Sequence, residues 1–503
     1  MEYWLISVLS IVISILVTYY LFRKFNFFKR HGIIHVPSTP ILGAMAPIIF
    51  RRMSFANFTR KIYNLNRDAK YIGFYATTKP VLMLRDPEVI KDVVVKNFDT
   101  FINNPVFVDA NDYVLSQNLF GLQNIKWRHV KNLLSPSFTS SKMKTMFTFI
   151  SKHAADFAEL MSTLPADKSD INMKDIFDRY TNDVIALCIY GMKIDSIRDP
   201  TNKFYICDKD ITYMSAKRNI KYIFIRTFPK LGRIFNIKLL NNHEMKYFES
   251  TIKNEIAIRD TEHITRPDMI QLMLDNRGKE GQIQLDVDDI VAQAYGFYFA
   301  SFETSSSVMS FITYKIATNP SIQIKLQQEI DELWNESNVT YETINKLKYL
   351  DAVIKEALRL FSSSVMERIC EKAYKLPPAL PGEKSFTINK GMIIWVPLYA
   401  IHHDEKYYDN PEEFRPERFL NNVQDNNYQS LFYFPFGLRS RICIDRRFGL
   451  LMIKVIPFHL LARCELKQCA KTSSIKFNEK NLLMMPKDGF WLNIQHRNEY
   501  DRD

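Results

Sequence analysis

Glycine is scarce in this chain, with 14 residues among 503. The sequence contains neither G-x-x-x-x-G-K-[ST] nor G-x-G-x-x-G, the patterns that let a backbone wrap closely around phosphate groups. It also lacks H-E-x-x-H, the helical zinc-binding pattern. These absences argue against a nucleotide-binding enzyme of the P-loop or Rossmann type and against a zinc protease.

Cysteine is sparse as well, and no C-x-x-C pair or dense cysteine framework occurs. Secreted disulfide-rich domains need closely spaced, paired cysteines, so we expect free thiols in a reducing compartment. Repeats, low-complexity tracts and long linkers are absent after residue 45, and 47% of the residues are hydrophobic. One large folded domain is therefore expected. The six cysteines are Cys188, Cys207, Cys370, Cys443, Cys464 and Cys469.

Charge is absent from Tyr3 to Phe22, a run of 20 residues that is long enough for one membrane-spanning helix. A basic stretch follows the run at once, so the remainder of the chain is expected on the cytosolic side. The basic start and small-residue cleavage site of a signal peptide are not evident, which favours an uncleaved anchor. The basic residues are Arg23, Lys24, Lys29 and Arg30.

The anchor predicts a division of the chain into three parts. Residues 1–30 form the transmembrane anchor and its basic stop, and 31–45 form a hinge that Pro37 and Pro40 stiffen. Residues 46–503 form the large domain. No further boundary is expected within that domain.

Hydrophobic periodicity predicts a mainly α domain with small β-sheets, an α+β fold. Ser140–Leu164 and Ile322–Glu336 are apolar at the helical period of 3.6 residues. Short runs of strand-forming residues occur within Tyr71–Asp86 and Ile393–His403. We expect these strands to form small sheets at the edge of the helices.

The net charge of +12 indicates a phosphate-rich or acidic partner. The strongest local contribution is residues 216–240, where seven Lys/Arg and no acid alternate with aromatic residues. This composition is typical of a nucleic-acid surface, a solvated helix or a segment on a membrane surface. Because an anchor precedes it, we prefer the membrane surface and expect no nucleic-acid partner.

A single cysteine, Cys443, lies in "FPFGLRSRICIDRRFG" (Phe434–Gly449), just before an apolar, helix-like run. A lone cysteine is usually a small buried hydrophobe, so this stretch needs context. Upstream, "KEALRL" places Glu356 and Arg359 three residues apart on one helical face. In "NPEEFRPERF", Arg418 supplies a second cation that can join them.

Two further pairs stand out. Glu303 and Thr304 lie in the apolar run "YGFYFASFETSSSVMSFITY", where an acid and an alcohol are costly unless they are satisfied or functional. Trp127 and Lys131 are four residues apart, which places a ring N–H and a cation on one helical face. Each of these motifs is weak by itself.

In this order and spacing, the five motifs resemble those of the cytochrome P-450 monooxygenases, and more narrowly the microsomal, xenobiotic-metabolising forms of insects. The resemblance covers essentially the whole chain. It implies the cytochrome P-450 fold, with a single large haem domain behind the transmembrane helix, on the cytosolic face of the endoplasmic reticulum. It also implies that Cys443 is the axial thiolate ligand of the iron of haem b.

The resemblance assigns roles to the remaining motif residues. Phe436 is implied to pack beside the sulfur, and the pair Glu303 and Thr304 to handle dioxygen and its protons. The triad of Glu356, Arg359 and Arg418 is implied to be structural. Four residues are implied to meet the haem propionates: Arg441, Arg368, Trp127 and Lys131.

The resemblance also implies partners. NADPH is used indirectly, through a flavoprotein reductase with an acidic face, and a cytochrome b-type protein is a further expected donor. A basic surface that includes Arg439, Arg446 and Arg447 suits the reductase. The implied reaction inserts one oxygen atom of O2 into a small lipophilic substrate.

The chain departs from the family pattern F-G-x-G-x-R-x-C-x-G at two glycines, which are Arg439 and Asp445 here. We predict that these opposite charges pair across the loop. Ser301 replaces the glycine of the family's A-G-x-E-T pattern, and Lys131 replaces an arginine. Two alternatives therefore stay open: a membrane-anchored haem-binding protein with little or no turnover, and the same fold acting on peroxide without a reductase.

Overall fold

The computed structural model describes residues 25–107, 109–240, 242–276, 285–334, 339–420, 432–481 and 484–497, together with 3, 4 and 7. Helices dominate these residues. They are α1 (Phe27–Arg30), α2 (Ala46–Ile49), α3 (Phe55–Tyr63), α4 (Pro87–Lys91), α5 (Tyr113–Gln117), α6 (Asn124–Leu134), α7 (Ser140–Ser162), α8 (Met173–Tyr190), α9 (Lys203–Thr212), α10 (Ala216–Thr227), α11 (Pro229–Ile234), α12 (Asn242–Glu262), α13 (Met269–Asp275), α14 (Val287–Ala317), α15 (Pro320–Leu333), α16 (Tyr341–Asn345), α17 (Lys348–Leu360), α18 (Leu398–His402) and α19 (Arg446–Arg463).

The strands are short. They are β1 (Tyr71–Ala76), β2 (Lys79–Leu84), β3 (Asp170–Asn172), β4 (Met366–Ile369), β5 (Tyr374–Pro378), β6 (Ser385–Ile388), β7 (Ile393–Val396), β8 (Cys464–Lys467) and β9 (Trp491–His496). They form a four-stranded sheet in the order β1-β2-β7-β4, a three-stranded sheet β3-β9-β8 and the hairpin β5-β6. The mainly α fold with small sheets is confirmed.

The 31-residue helix α14 crosses the helical core. Its first turn is capped by the side chain of Asp286, which accepts a hydrogen bond from the backbone N–H of Asp289. Apolar side chains lie on all its faces, as expected of a helix that neighbours surround. It packs against α8 and α19, and α19 packs in turn against α7. This arrangement brings the Glu303 region close to the Cys443 loop.

The four-stranded sheet carries a second apolar core and fixes one wall of the site. Strand β4 pairs antiparallel with β7, with Arg368 opposite Ile394, and β7 pairs parallel with β2. Alternation along β4 therefore places Glu367 and Arg368 on opposite faces. Both side chains are buried at this edge of the sheet.

The helix and strand predictions hold at most places tested. The periodic run from Ser140 is a helix that ends at Ser162, and the run within Tyr71–Asp86 forms the hairpin of β1 and β2. Past Val396 the expected strand gives way to α18, because Pro397 cannot donate a ladder hydrogen bond and instead precedes a helix.

No helix among the described residues is both long and apolar enough to span a bilayer. Apart from residues 3, 4 and 7, the predicted membrane-spanning run Tyr3–Phe22 lies outside the described residues. The anchor and the division at residues 30 and 45 stay predictions.

Candidate functional site

A mostly apolar cavity of about 700 Å³ lies between α14, α10, β4 and the Cys443 loop. Aromatic rings form much of one wall. The Phe107 ring lies edge-on to Phe299 with 5.6 Å between centroids, and to Tyr222 with 6.2 Å. Phe120 contacts Phe299 from the other side, at 6.5 Å. Such a wall favours ligands with extended apolar surfaces.

Cys443 lines this cavity at the end of a tight loop, three residues before α19 begins. Its backbone N–H donates to the carbonyl of Phe436 at 2.9 Å, which closes the loop. The loop turns through two left-handed residues, Gly437 (φ 83°) and Arg439 (φ 53°). The Cys443 thiol donates to Oδ1 of Asp445 at 2.5 Å. Burial raises the pKa of the Cys443 thiol well above its usual value, and the nearby Asp445 carboxyl raises it further.

Three cations, Lys131, Arg368 and Arg441, converge on the cavity and are called here the cation cluster. The Arg441 guanidinium stacks 3.7 Å from the ring centre of Trp127, and its Nε donates to the carbonyl of Ile102 at 2.9 Å. Lys131 Nζ donates to the carbonyl of Ser440 and, at 3.2 Å, to that of Ile442.

The electrostatics of the cation cluster indicate an anionic ligand. Burial lowers the pKa of Arg441 and of Lys131 to about 8, and that of Arg368 to about 10. Arg441 depresses Lys131 further, and Arg368 depresses Arg441. Within the part of the chain that the structure describes, none of the three forms an ion pair with a carboxylate, and Nε of Arg368 has no hydrogen-bond partner.

A bound dianion removes this penalty, because buried charges are stable only when they are paired. The haem that the sequence leads us to expect carries two propionates and needs one thiolate ligand. The cation cluster and Cys443 supply both kinds of group in one apolar cavity, so these residues fit haem.

Glu303 and Thr304 lie on α14 and also line the cavity. The Thr304 hydroxyl donates to the carbonyl of Ala300 at 2.5 Å, within the helix. The Glu303 carboxylate accepts from Lys174 Nζ at 3.2 Å, and Lys174 also donates to Asp178 at 2.5 Å. Burial raises the pKa of Glu303, although Lys174 opposes the shift. A carboxyl group with a raised pKa and a hydroxyl therefore line the cavity from consecutive residues of one helix.

The structure brings Glu356, Arg359 and Arg418 into contact. Arg359 donates through Nε and Nη2 to the two oxygens of Glu356, each at 2.8 Å, and Arg418 Nε donates to the same carboxylate at 3.2 Å. The remaining donors of Arg359 reach the carbonyls of His402 and Pro411 at 2.7 and 2.8 Å. The contacts tie α17 to the segment that follows α18.

The predicted pair of Arg439 and Asp445 is wrong. Arg439 is exposed, whereas Asp445 is buried, and no ion pair joins them among the described residues. The Asp445 side chain is directed inward, where its carboxylate accepts hydrogen bonds from the Cys443 thiol and from the Ser301 hydroxyl, the latter to Oδ2 at 2.9 Å. Arg439 keeps a left-handed φ of 53°, a conformation that favours the glycine it replaces.

Two cavity contacts were not found from the sequence. Lys174, which holds Glu303, lies 129 positions away from it. Arg226 on α10 donates to Glu367 on β4 at 3.0 Å, across 141 positions, and both line the cavity. Lys174 lies in no motif, and Arg226 lies in the basic segment 216–240, whose composition gives no sign of a contact with Glu367.

Comparison with known proteins gives a match along almost the entire chain. The family described as Cytochrome P450 matches residues 37–494. Cytochrome P450 9e2 of Blattella germanica is 38% identical, across 94% of this chain and 94% of its own. Cytochrome P450 6j1 of the same species is 31% identical across 97% of this chain and 98% of its own. Cytochrome P450 6a8 of Drosophila melanogaster is 32% identical across 98% of this chain and 99% of its own.

Proposed function

The chain belongs to the cytochrome P450 family, and from this premise we propose that it is a monooxygenase that acts on small lipophilic molecules with electrons from NADPH, delivered by a flavoprotein reductase. Family membership assigns it to the haem-thiolate oxidoreductases. The observation that carries the proposal is a single apolar cavity. It is lined by Cys443, by the cation cluster and by Glu303 with Thr304.

In this proposal Cys443 holds the iron and the cation cluster holds the propionates. When bound, haem b with a thiolate ligand supplies the activation of dioxygen and the insertion of one oxygen atom into the substrate. Lys131 donates to two carbonyls of the loop that carries Cys443, and Arg441 lies in this loop, so the residues that would hold the iron and the propionates are positioned by one segment. The carbonyl of Phe436 fixes Cys443 through its backbone N–H, and the Phe436 ring shields the sulfur from water.

Glu303 and Thr304 are proposed to deliver protons. Burial raises the pKa of the Glu303 carboxyl, which favours its role as a proton donor, and the hydroxyl of the next residue, Thr304, can pass the proton to an oxygen in the cavity. Lys174 keeps the Glu303 side chain against the cavity wall. The presence of both Glu303 and Thr304 also argues against the alternative of a haem protein without turnover.

The expected result of reconstitution is product formation linked to NADPH consumption. Full-length haem protein, combined with a reductase and NADPH, should oxidise a lipophilic probe. Thr304→Ala and Glu303→Gln should lower product per NADPH by on the order of 100-fold, because proton delivery is lost. Product and NADPH are quantified together.

The matched control is Ser307→Ala, since Ser307 is a cavity hydroxyl on the same helix that donates to a backbone carbonyl at 2.6 Å. The Ser307→Ala variant should form as much product per NADPH as the parent protein. An intact haem spectrum without any product would support the binding-only alternative. Product with peroxide but none with NADPH and reductase would support the peroxide alternative.

The reductase is proposed to dock on the exposed arginines around the Cys443 loop. Arg439, Arg446 and Arg447 are exposed, and none of them is among the residues that line the cavity. An acidic partner surface complements this charge. A reductase bound here would deliver its electrons close to Cys443, the proposed iron ligand. A cytochrome b-type donor fits the same surface.

The membrane is the proposed location, at the endoplasmic reticulum, with α10 and α11 on the bilayer surface. Ile234 and Phe235 are 73% and 68% exposed beside basic side chains, and Ile220 is 62% exposed on α10. Apolar residues flanked by Lys and Arg are typical of segments that lie in the lipid interface. The predicted N-terminal anchor holds the domain at the same surface.

Amide hydrogen exchange of the full chain in anionic lipid vesicles is expected to show protection of residues 216–236. The variant Ile234→Ser/Phe235→Ser should lose this protection, because the buried apolar contact with lipid is removed. Ile324→Ser, at a position 55% exposed on α15, is the control and should change nothing. Equal exchange in the parent and the double variant would contradict the interface.

A further inference from the structure

A second cavity, of about 690 Å³, lies between the start of α10 and the chain that follows α11, and it is called here the basic cavity. Four cations and one carboxylate line it. None of its lining residues belongs to the cavity that Cys443 lines, so the proposed reaction does not use it. The charged residues are Lys217, Arg218, Lys221, Lys238 and Asp210.

The basic cavity carries more positive than negative charge. Asp210 pairs with Arg218, whose Nη2 donates to Oδ2 at 3.0 Å. Lys221 Nζ donates to the backbone carbonyl of Lys238 at 3.0 Å, a group without net charge. Across the described residues, Lys217, Lys221 and Lys238 form no ion pair with a carboxylate. An anion in this cavity is therefore favoured, because it offsets the repulsion among three ammonium groups.

Buried contacts fix the backbone that forms the basic cavity. Arg218 is buried, and its Nη1 also donates to the carbonyl of Tyr213 at 2.8 Å. The chain after α11 is held by the Asp112 carboxylate, which accepts from the backbone N–H groups of Leu239 and Leu240 at 2.8 and 3.2 Å. The cavity also lies at the first turn of α10, where the helix dipole adds positive potential. The backbone is thus positioned before a ligand binds, which reduces the entropy cost of binding.

Exposed apolar side chains beside the basic cavity indicate a ligand with an apolar part. Ile220 lies on α10 directly before the lining residue Lys221, and Phe235 directly precedes the lining segment 236–240. Both apolar side chains are mostly exposed. A small free anion would leave them in water. A phospholipid carries its phosphate next to acyl chains, so it can contact the cations and the apolar residues together.

We propose that the basic cavity binds the headgroup of an anionic phospholipid that ends in a phosphate monoester, as phosphatidic acid does. The phosphate lies among Lys217, Lys221 and Lys238, and the acyl chains contact Ile220 and Phe235. A phosphate monoester has up to two charges and three acceptor oxygens, so it can accept from several ammonium groups at once. The inference rests on the proposed position of α10 and α11 at the bilayer.

Amide hydrogen exchange of the full chain in vesicles tests the lipid site. Neutral vesicles are supplemented either with phosphatidic acid or with phosphatidylserine to the same surface charge. Exchange of residues 216–221 and 236–240 should slow several-fold more with phosphatidic acid, because phosphatidylserine lacks a terminal phosphate. Glycerol 3-phosphate, added to neutral vesicles as a soluble probe, should protect these residues much less, because it has no acyl chains.

Two matched double variants separate the cavity from the general charge of the segment. Lys217→Gln/Lys238→Gln removes two exposed charges that line the cavity, so the phosphatidic acid needed for half-maximal protection should rise on the order of 10-fold. Lys230→Gln/Arg233→Gln removes two exposed charges of the same segment outside the cavity and should change this amount little.

Equal protection by the two lipids, or equal losses in the two double variants, would overturn the site, because a diffuse charge effect would then suffice. Protection by glycerol 3-phosphate as strong as that by phosphatidic acid would overturn the lipid assignment in favour of a free phosphate. Failure of the proposed bilayer position looks different. No lipid would then protect residues 216–236 of the parent protein, and the lipid site would be overturned together with that position.

A wrong assignment of the cavity alone would leave the protection by anionic vesicles in place. That protection would still be lost in Ile234→Ser/Phe235→Ser, but it would not respond to Lys217→Gln/Lys238→Gln.

Discussion

Replacing Cys443 by alanine is expected to abolish the red-shifted ferrous–carbon monoxide band and all oxygenation by the protein. Among the described residues, Cys443 is the one cysteine that lines the cavity. In the described part of the chain, no other residue that lines the space between α14 and the loop before α19 carries a thiol. The measurement is the difference spectrum of the reduced protein with carbon monoxide, before and after the substitution.

Cys469→Ala is the matched control, because Cys469 is also a free, half-buried cysteine but lies outside the cavity. Its spectrum and haem content should equal those of the parent. If the band survives in Cys443→Ala and disappears in another cysteine variant, the ligand has been assigned to the wrong residue. Loss of the band without loss of bound haem would show that the cation cluster holds the group without the thiolate.

Local patterns predict the elements that carry the site, because each motif is short and close in sequence. Glu356 and Arg359 are three residues apart on α17, so helical geometry alone brings them together. Periodicity likewise locates α7, and strand-forming residues locate the region of β1 and β2. The resemblance then connects motifs that are far apart along the chain.

Long-range partners could not be predicted, since spacing along the chain carries no information about them. The opposite signs of Arg439 and Asp445, only six positions apart, suggest a pair. The left-handed backbone at Arg439 instead leaves its side chain in solvent, while Asp445 turns to donors on α14 and in the loop. Lys174 on α8 contacts Glu303, and Arg226 on α10 contacts Glu367. These partners are 129 and 141 positions apart, so the sequence gives no sign of either contact.

The second large effect is expected at Glu356 and Arg359, which are completely buried. Glu356→Ala leaves the guanidinium of Arg359 inside the core without its carboxylate, and Arg359→Ala does the reverse. Breaking a buried pair in this way costs about 3–5 kcal/mol. Each variant should therefore give little folded haem protein, as measured by soluble yield, haem content and half-life at a fixed elevated temperature.

A double-mutant cycle and a surface pair show whether burial causes the loss. Glu356→Ala/Arg359→Ala removes both charges, so its cost should be smaller than the sum of the single costs. Some cost remains, because Arg418 and the backbone N–H of Arg415 still lose the carboxylate that they contact at 3.2 and 3.0 Å. Arg198 and Asp195 are also three residues apart but exposed, so Arg198→Ala should cost at most about 1 kcal/mol. Normal yield and haem content in both single variants would mean that the triad does not hold the core beneath the cavity.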